Sequence, residues 1–209
     1  MPVSPGKGDA AELERAAAAV AAGGVVGYPT ETYYALGADP RQAAALDQVL
    51  RLKGREAAGK PLLLLIAELS EVAEWASAPP PAFAPLAARF WPGPLTLILA
   101  AAPGVPAPLL GSRGGVALRL TSHPLARRLI AACGGALTGT SANRGGRPPA
   151  RRAGEVRRAF GAALAALVDG GETPGGPPST LLDLTVSPPA VLRAGAIPES
   201  AIAAVLEKS

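Results

Sequence analysis

Apolar positions along this chain fall into two kinds of run. Behind Asp9, read as a cap, the segment to Ala22 places apolar residues at helical spacing, and the same signature recurs in Arg41–Leu52, Glu68–Ala76, Pro85–Phe90, Pro124–Cys133, Ala153–Phe160 and a closing segment from Glu199. Between these lie short apolar runs bounded by Gly and Pro: Val25–Tyr28, Pro61–Ala67, Leu95–Ala101, Val116–Leu120, Ala136–Thr140, Ala165–Asp169, Ser179–Thr185 and Ala190–Ala194. The continuous run "PLLLLIA" suits a strand covered on both faces. Helices and strands interleave without an internal repeat. The pattern predicts an α/β fold, an open, twisted, mostly parallel or mixed sheet with helices on its faces, in a single domain over residues 1–209. Sheets of this kind bind ligands beyond their strand ends, so the polar residues there become the candidates for chemistry.

Composition sharpens the picture. Apolar residues make up 49% of the chain, yet aromatic residues only 4%, so the core must be built from Leu, Val, Ile and Ala. The single cysteine, Cys133, lies among small apolar neighbours and reads as core packing, which leaves neither a disulfide framework nor a cysteine metal cluster. The uncharged stretch from Phe90 to Ser112 is long enough for a membrane span, but Pro92, Pro94, Pro103, Pro106 and Pro108 interrupt it. No basic leader precedes the first apolar run, and a cytoplasmic protein with no membrane partner is expected. A net charge of +4 points to an anionic partner, either a nucleotide or nucleic acid.

Polar groups recur at the predicted strand ends. "PTET" follows the first strand, "KGREAAGK" the second helix, and "SAN" the run Ala136–Thr140, while Arg119 and Arg193 close two further strands. Each has an ordinary structural reading: a turn, an Asx cap, a solvated helix end. Together they describe a pocket with several cations and several hydroxyl or amide groups, suited to phosphates and a polar small molecule. No "GxxxxGK[ST]" loop is present, so a nucleotide would be held by other means. His123, before Pro124, reads as a surface helix cap, and Trp75 and Trp91 as packing residues.

The stretches "PTETYYALGAD", "LKGREAAGKPLLLLI", "FWPGPLTLIL", "VALRL", "TSANRGG", "STLLDLT" and "VLRAGAI" resemble, in order and spacing, the YrdC/YciO family of threonylcarbamoyl-AMP synthases. The resemblance spans residues 23 to 197 and corresponds to the short form without a second C-terminal domain. It implies a nucleotidyltransferase that joins L-threonine, bicarbonate and ATP into threonylcarbamoyl-AMP and pyrophosphate, with Mg2+ accompanying the ATP, upstream of the machinery that transfers threonylcarbamoyl to tRNA. By the same resemblance Lys53, Arg55, Ser141 and Asn143 would serve catalysis at the phosphate and carbamate end. Thr32, Arg119, Gly139 and Ser179 would hold threonine, and Arg55, Lys60, Gly115, Ser141 and Arg193 would contact ATP. No metal ligand among the protein side chains is implied.

Several positions depart from the family pattern. Tyr33, Tyr34 and Ala35 stand where Val-Tyr-Gly is usual, the segment between "KGR" and "KPLLLL" is one residue longer, Leu65 occupies a position that is histidine in some members, and Pro148 and Pro149 replace a common serine. Two other functions stay open on the sequence. One is a double-stranded RNA or tRNA-binding module without catalysis; the basic stretches "RGGRPPARR" and "EVRRAF" read first as a solvated face, with a lid over ATP or a weak RNA contact as the alternatives. The other is a carbamoyl-adenylating relative with a different acceptor.

Overall fold

The computed structural model describes residues 10–54 and 60–207, so Asp9, the expected cap of the first helix, and Arg55 lie outside the described residues. The described residues form ten strands: β1 (Val26–Pro29), β2 (Tyr34–Gly37), β3 (Leu64–Ile66), β4 (Leu95–Ala100), β5 (Gly115–Leu120), β6 (Ala136–Thr138), β7 (Thr140–Ser141), β8 (Ala166–Leu167), β9 (Thr180–Asp183) and β10 (Ala190–Arg193). They form not one sheet but two, in the orders β7-β2-β1-β8 and β10-β9-β4-β5-β3-β6. Both are mixed. The pairs β1/β8, β3/β5 and β4/β9 are parallel and the others antiparallel, so antiparallel pairing predominates.

The helices are α1 (Ala10–Ala21), α2 (Ala43–Lys53), α3 (Val72–Trp75), α4 (Phe83–Phe90), α5 (Pro124–Ala132), α6 (Ala153–Phe160) and α7 (Glu199–Leu206). Helix α1 buries Leu13, Ala16 and Val20, one face at helical spacing, and packs on α5. The expected helix Glu68–Ala76 is a turn of 3-10 helix followed by the short α3, opened by Glu71, whose Oε2 accepts from the backbone N–H groups of Ala67 and Glu68. Among the described residues no helix is long and apolar enough to cross a membrane, and the uncharged stretch after Phe90 holds the six-residue β4, a 3-10 turn at Ala107–Leu109 and connecting loops.

Two buried cores account for the unbroken apolar runs. Successive strand residues point to opposite faces, so Leu64 and Ile66 join one core while Leu65 joins the other, and Ala136 and Leu137 divide in the same way. The core holding Leu64 also holds Leu95, Leu97, Leu118, Leu120 and Leu182. The opposite face of the same sheet presents Thr96, Ile98, Ala117, Arg119 and Leu181 in matching register. Polar residues on that face are the first sign of a site.

Two local features escaped the apolar pattern. Tyr34–Gly37 looks like a continuation of the "PTET" loop, yet the chain doubles back: Thr30 N–H donates to Tyr33 O, and Pro29 pairs with Tyr34 in an antiparallel hairpin. The run Ala136–Thr140, expected as one strand, divides at Gly139. Ala136–Thr138 pairs with β3 in the larger sheet, whereas Thr140–Ser141 pairs with β2 in the smaller one. At the crossing, a β-carbon on Gly139 would lie 2.5 Å from Leu65 Cγ. Gly139→Ala is therefore expected to destabilise the fold by about 1–3 kcal/mol, the usual cost of overpacking, seen as a lowered thermal midpoint.

Candidate active site

Between the polar face of the larger sheet and the β1–β2 hairpin lies a cleft of about 620 Å³. Thr96, Ile98, Ala117, Arg119 and Leu181 line it from the sheet, Thr30, Thr32 and Tyr33 from the hairpin, and Gly139 and Ser141 from the crossing strand; Lys60, Ser179 and Arg193 complete its rim. Thr32, Arg119, Gly139, Ser179, Lys60, Ser141 and Arg193, seven of the residues singled out in the sequence, thus meet in one place although they come from distant segments. Among the described residues no Asp or Glu lines the cleft, while Lys60, Arg119 and Arg193 do. Such a lining is suited to anions.

Its amino-acid-sized end is built by short-range bonds. Thr30 Oγ1 donates to Tyr33 O at 2.7 Å and accepts from the N–H groups of Thr32 and Tyr33. The Thr32 hydroxyl lies 3.1 Å from Thr30 Oγ1, where either oxygen can donate. Ser179 Oγ lies 2.8 Å from Thr96 Oγ1 and accepts from Arg193 Nη2 at 3.0 Å. Arg193 also donates from Nε and Nη2 to Ser179 O. Burial, and then the nearby Arg119 charge, holds Arg193 below the ordinary guanidinium range. Arg193, expected at the nucleotide, is thus fastened beside Arg119. Arg119 is only 3% exposed, and Glu31 is its ion-pair partner, with Nε 3.4 Å from Glu31 Oε1.

The other end is formed by Lys53, Ser141 and Asn143. Lys53 Nζ, at the last residue of α2, donates to Ser141 O at 2.7 Å, Asn143 O at 2.8 Å and Asn143 Oδ1 at 2.9 Å. Ser141 Oγ donates to Asn143 Oδ1 at 2.6 Å, and Asn143 Nδ2 donates to Arg144 O and Arg147 O. An ammonium has three protons, and all three are taken up by this loop. Lys53, assigned by resemblance to the phosphate and carbamate end, pins the loop that shapes the wall of the cleft. Burial lowers its pKa from 10.5 to about 8.

Across that wall lies a second hollow of about 520 Å³, lined by Asn143, Arg144, Arg147, Pro148 and Arg151 among others. Pro149 borders both spaces. Of the described residues assigned to ATP, Gly115 alone is outside the cleft lining. It shares a face of β5 with Ala117 and Arg119 but lies beyond them, where a β-carbon would meet Ile98 Cγ2 at 2.6 Å.

The departures from the family pattern have visible consequences. Tyr33 Oη donates to Gly176 O, and Tyr34 Oη donates to Gly171 O while accepting from Gly170 N–H, so both hydroxyls fasten the segment 170–178 beside the cleft. Leu65 packs against Gly139 behind the cleft. His123 stands at the N-cap position of α5 but is half-buried and makes no side-chain capping bond; its buried Nδ1 has no partner among the described residues, and burial lowers its pKa. Burial pushes the Cys133 thiol up to about 11, in keeping with a packing residue. Trp75 and Trp91 are buried in the core, as expected.

Sequence reasoning missed Thr96 and Glu31. Thr96 was legible as a polar interruption, "LTLIL", in an apolar strand, as Arg119 was in "VALRL". Glu31 carried no such signal, because an acid in a turn is ordinary.

A protein-family model described as telomere recombination, for the Sua5, YciO and YrdC proteins, matches residues 18–195. A threonylcarbamoyl-AMP synthase of Alkalilimnicola ehrlichii is 48% identical over 157 residues, covering 75% of this chain and 81% of the relative. Among solved structures, P. abyssi Sua5 complexed with L-threonine is similar with a TM-score of 0.88 and 37% identity over 93% of this chain. The chain spans 57% of the length of that protein. E. coli YciO is similar with a TM-score of 0.79 and 29% identity, covering 88% of this chain and 89% of its own.

Proposed function

Because the chain belongs to the Sua5/YciO/YrdC family, and relatives that it matches over most of their length are threonylcarbamoyl-AMP synthases, we infer that it is a threonylcarbamoyl-AMP synthase. It is a nucleotidyltransferase acting on L-threonine and ATP. The observation that carries the assignment of its site is the convergence of Thr32, Arg119, Gly139 and Ser179 with Lys60, Ser141 and Arg193 on one cleft that no acidic side chain lines among the described residues.

The chemistry proceeds in two bond-forming steps. The amino group of threonine takes up the carbon of bicarbonate with loss of water, giving a carbamate. A carbamate oxygen then attacks the α-phosphorus of ATP, the bond to the β-phosphate breaks, and pyrophosphate leaves. Such a carbamate is a weak, short-lived nucleophile, so the site must hold it in line and limit water. Arg119 takes the threonine carboxylate, with Arg193 reinforcing the field and Thr32 and Ser179 flanking the rest of the amino acid. The loop pinned by Lys53 sets Ser141 beside the phosphates, Lys60 brings a further cation, and the hollow lined by Arg144, Arg147 and Arg151 continues the path for the remainder of the nucleotide. Arg55 belongs to this end by sequence resemblance alone.

Among the described residues no group of three or more His, Cys, Asp or Glu is placed to hold a metal ion, and the cleft lining has no carboxylate. Magnesium, on this reading, arrives bound to the triphosphate oxygens.

Pyrophosphate release from ATP is the direct test, measured with threonine and bicarbonate together and with each omitted. Release is expected only when both are present, and is expected to stop in excess chelator. Release that ignores threonine would remove the assignment. Tight RNA binding that weakens steeply with salt, without amino-acid-dependent release, would favour a binding module instead.

A further inference from the structure

Glu31 belongs to the turn that carries Thr32, and its carboxylate is committed at both oxygens to the neighbouring strand end. Oε2 accepts from Thr121 Oγ1, a fully buried hydroxyl that in turn accepts from His123 N–H. Oε1 faces Arg119 Nε at 3.4 Å, an ion pair that falls short of a hydrogen bond, and neither of these two buried atoms has any other partner among the described residues. No hydrogen bond from Arg119 Nη1 or Nη2 is made among the described residues, and Arg119 lines the cleft.

The arrangement divides the guanidinium by edge. Its Nε side is covered by a carboxylate that a buried threonine fixes, and its two Nη groups are left for a ligand. A planar fork recognises a carboxylate bidentately only when its plane is held, because rotation about the side chain turns one of the two bonds away. Glu31 is the only carboxylate ion-paired to Arg119 among the described residues. An acid beside a substrate-binding arginine has two opposed effects. It repels an incoming carboxylate, and it orients the arginine that receives it. The structure favours orientation, because Oε2 is engaged by Thr121 Oγ1, Oε1 faces the Nε side of the guanidinium, and Glu31 is not among the residues that line the cleft.

We propose that Glu31 is a positioning residue for recognition of the substrate carboxylate. Held by Thr121, it fixes Arg119 through Nε so that both Nη groups meet the amino acid. This rests on the reading that Arg119 receives the threonine carboxylate.

The test compares threonine with threoninamide, in which the carboxylate becomes an uncharged amide, through pyrophosphate release by the full chain. Wild type, Glu31→Ala, Glu31→Gln, Thr121→Val and Arg119→Ala are compared. Glu31→Ala is expected to raise KM for threonine about tenfold or more, the size of one charge-assisted hydrogen bond, while KM for ATP stays within about twofold. The preference for threonine over threoninamide falls by the same factor, a change that a general loss of structure would not produce because it would lower both substrates together. Thr121→Val, which removes the hydroxyl and keeps the shape, moves the preference in the same direction by a smaller factor and stands in for Glu31→Ala should that variant not fold. Glu31→Gln keeps an acceptor oxygen for Nε and recovers most of the preference.

If Arg119→Ala abolishes the preference while Glu31→Ala and Thr121→Val leave it intact or strengthen it, the positioning role is wrong. If Glu31→Gln loses as much as Glu31→Ala, the charge and not the acceptor geometry matters, and the proposal fails in this form. If Arg119→Ala itself leaves the preference unchanged, it is the underlying assignment of Arg119 that fails.

Discussion

Lys53→Ala is expected to lower pyrophosphate release by about 10²–10³-fold while the protein stays folded. Three bonds from one ammonium bind the end of α2 to Ser141 O, Asn143 O and Asn143 Oδ1, and with them the loop that divides the cleft from the second hollow. Alanine removes the charge and frees that loop at once. Water can replace part of the bonding at a half-buried site, so the stability loss is expected to be only about 1–2 kcal/mol. A solvated helix end would show neither effect. Lys53→Arg is the sharper variant, because a planar fork does not match three acceptors converging on one point; it is expected to be impaired although its charge is kept.

The same residue sets a pH dependence. Burial lowers Lys53 to about 8, so below that pH it is charged with three donors, and above it the charge and one donor are lost. The kcat/KM of the wild type is expected to fall on the alkaline side with an apparent pKa near 8. In Lys53→Arg, where the group stays charged, that limb is expected to vanish at a lower overall rate. Stability runs the other way. The folded value lies below the ordinary 10.5, so burial of the charged form costs stability below about 8, and that cost is relieved as pH rises from 8 toward 10.5. Opposite trends in rate and thermal midpoint across this window would separate a local effect on catalysis from alkaline unfolding.

Arg119→Ala is expected to raise KM for threonine by about 10²-fold or more and to destabilise the protein by about 3–5 kcal/mol. The two effects have different origins. Recognition is lost because the two Nη groups disappear from a cleft that has no equivalent fork at that position. Stability is lost because the Glu31 carboxylate, whose Oε1 is buried, is left without its ion-pair partner. Pairing Arg119→Met with Glu31→Gln tests this division. Replacing both charges is expected to restore most of the thermal midpoint, since a buried ion pair is often no better than an apolar pair, and to leave threonine recognition as poor as in the single variant. Recovery of threonine recognition together with stability would show that Arg119 is only a structural cation.

How much of this was legible in the sequence depended on whether a signal was local. Apolar runs bounded by Gly and Pro marked most of the strands, and the alternation of helices with strands identified an α/β chain. Polar residues inside apolar strands marked Arg119, and could equally have marked Thr96, because a charge or hydroxyl at a strand interior is costly unless a site or a partner uses it. The family motifs carried Thr32, Gly139, Ser141, Ser179, Lys60 and Arg193 to one cleft, and their order along the chain was enough to name them.

What the tertiary structure alone decided was partnership. Strand pairing is made between segments far apart in sequence, so nothing local separates one mixed sheet from two, or shows that a chain passing Gly139 leaves one sheet for the other. Lys53 looked like a free cation at a helix end and proved to be spent on a loop 88 and 90 residues away. Glu31 looked like a turn residue and proved to be the counter-ion of Arg119, because only folding brings the hairpin against the end of β5. The sequence by itself determined which groups are available and on which faces their elements present them. Which of those groups remain free for a ligand depends on hydrogen bonds and ion pairs between distant segments, and these exist only once the two sheets have closed on each other.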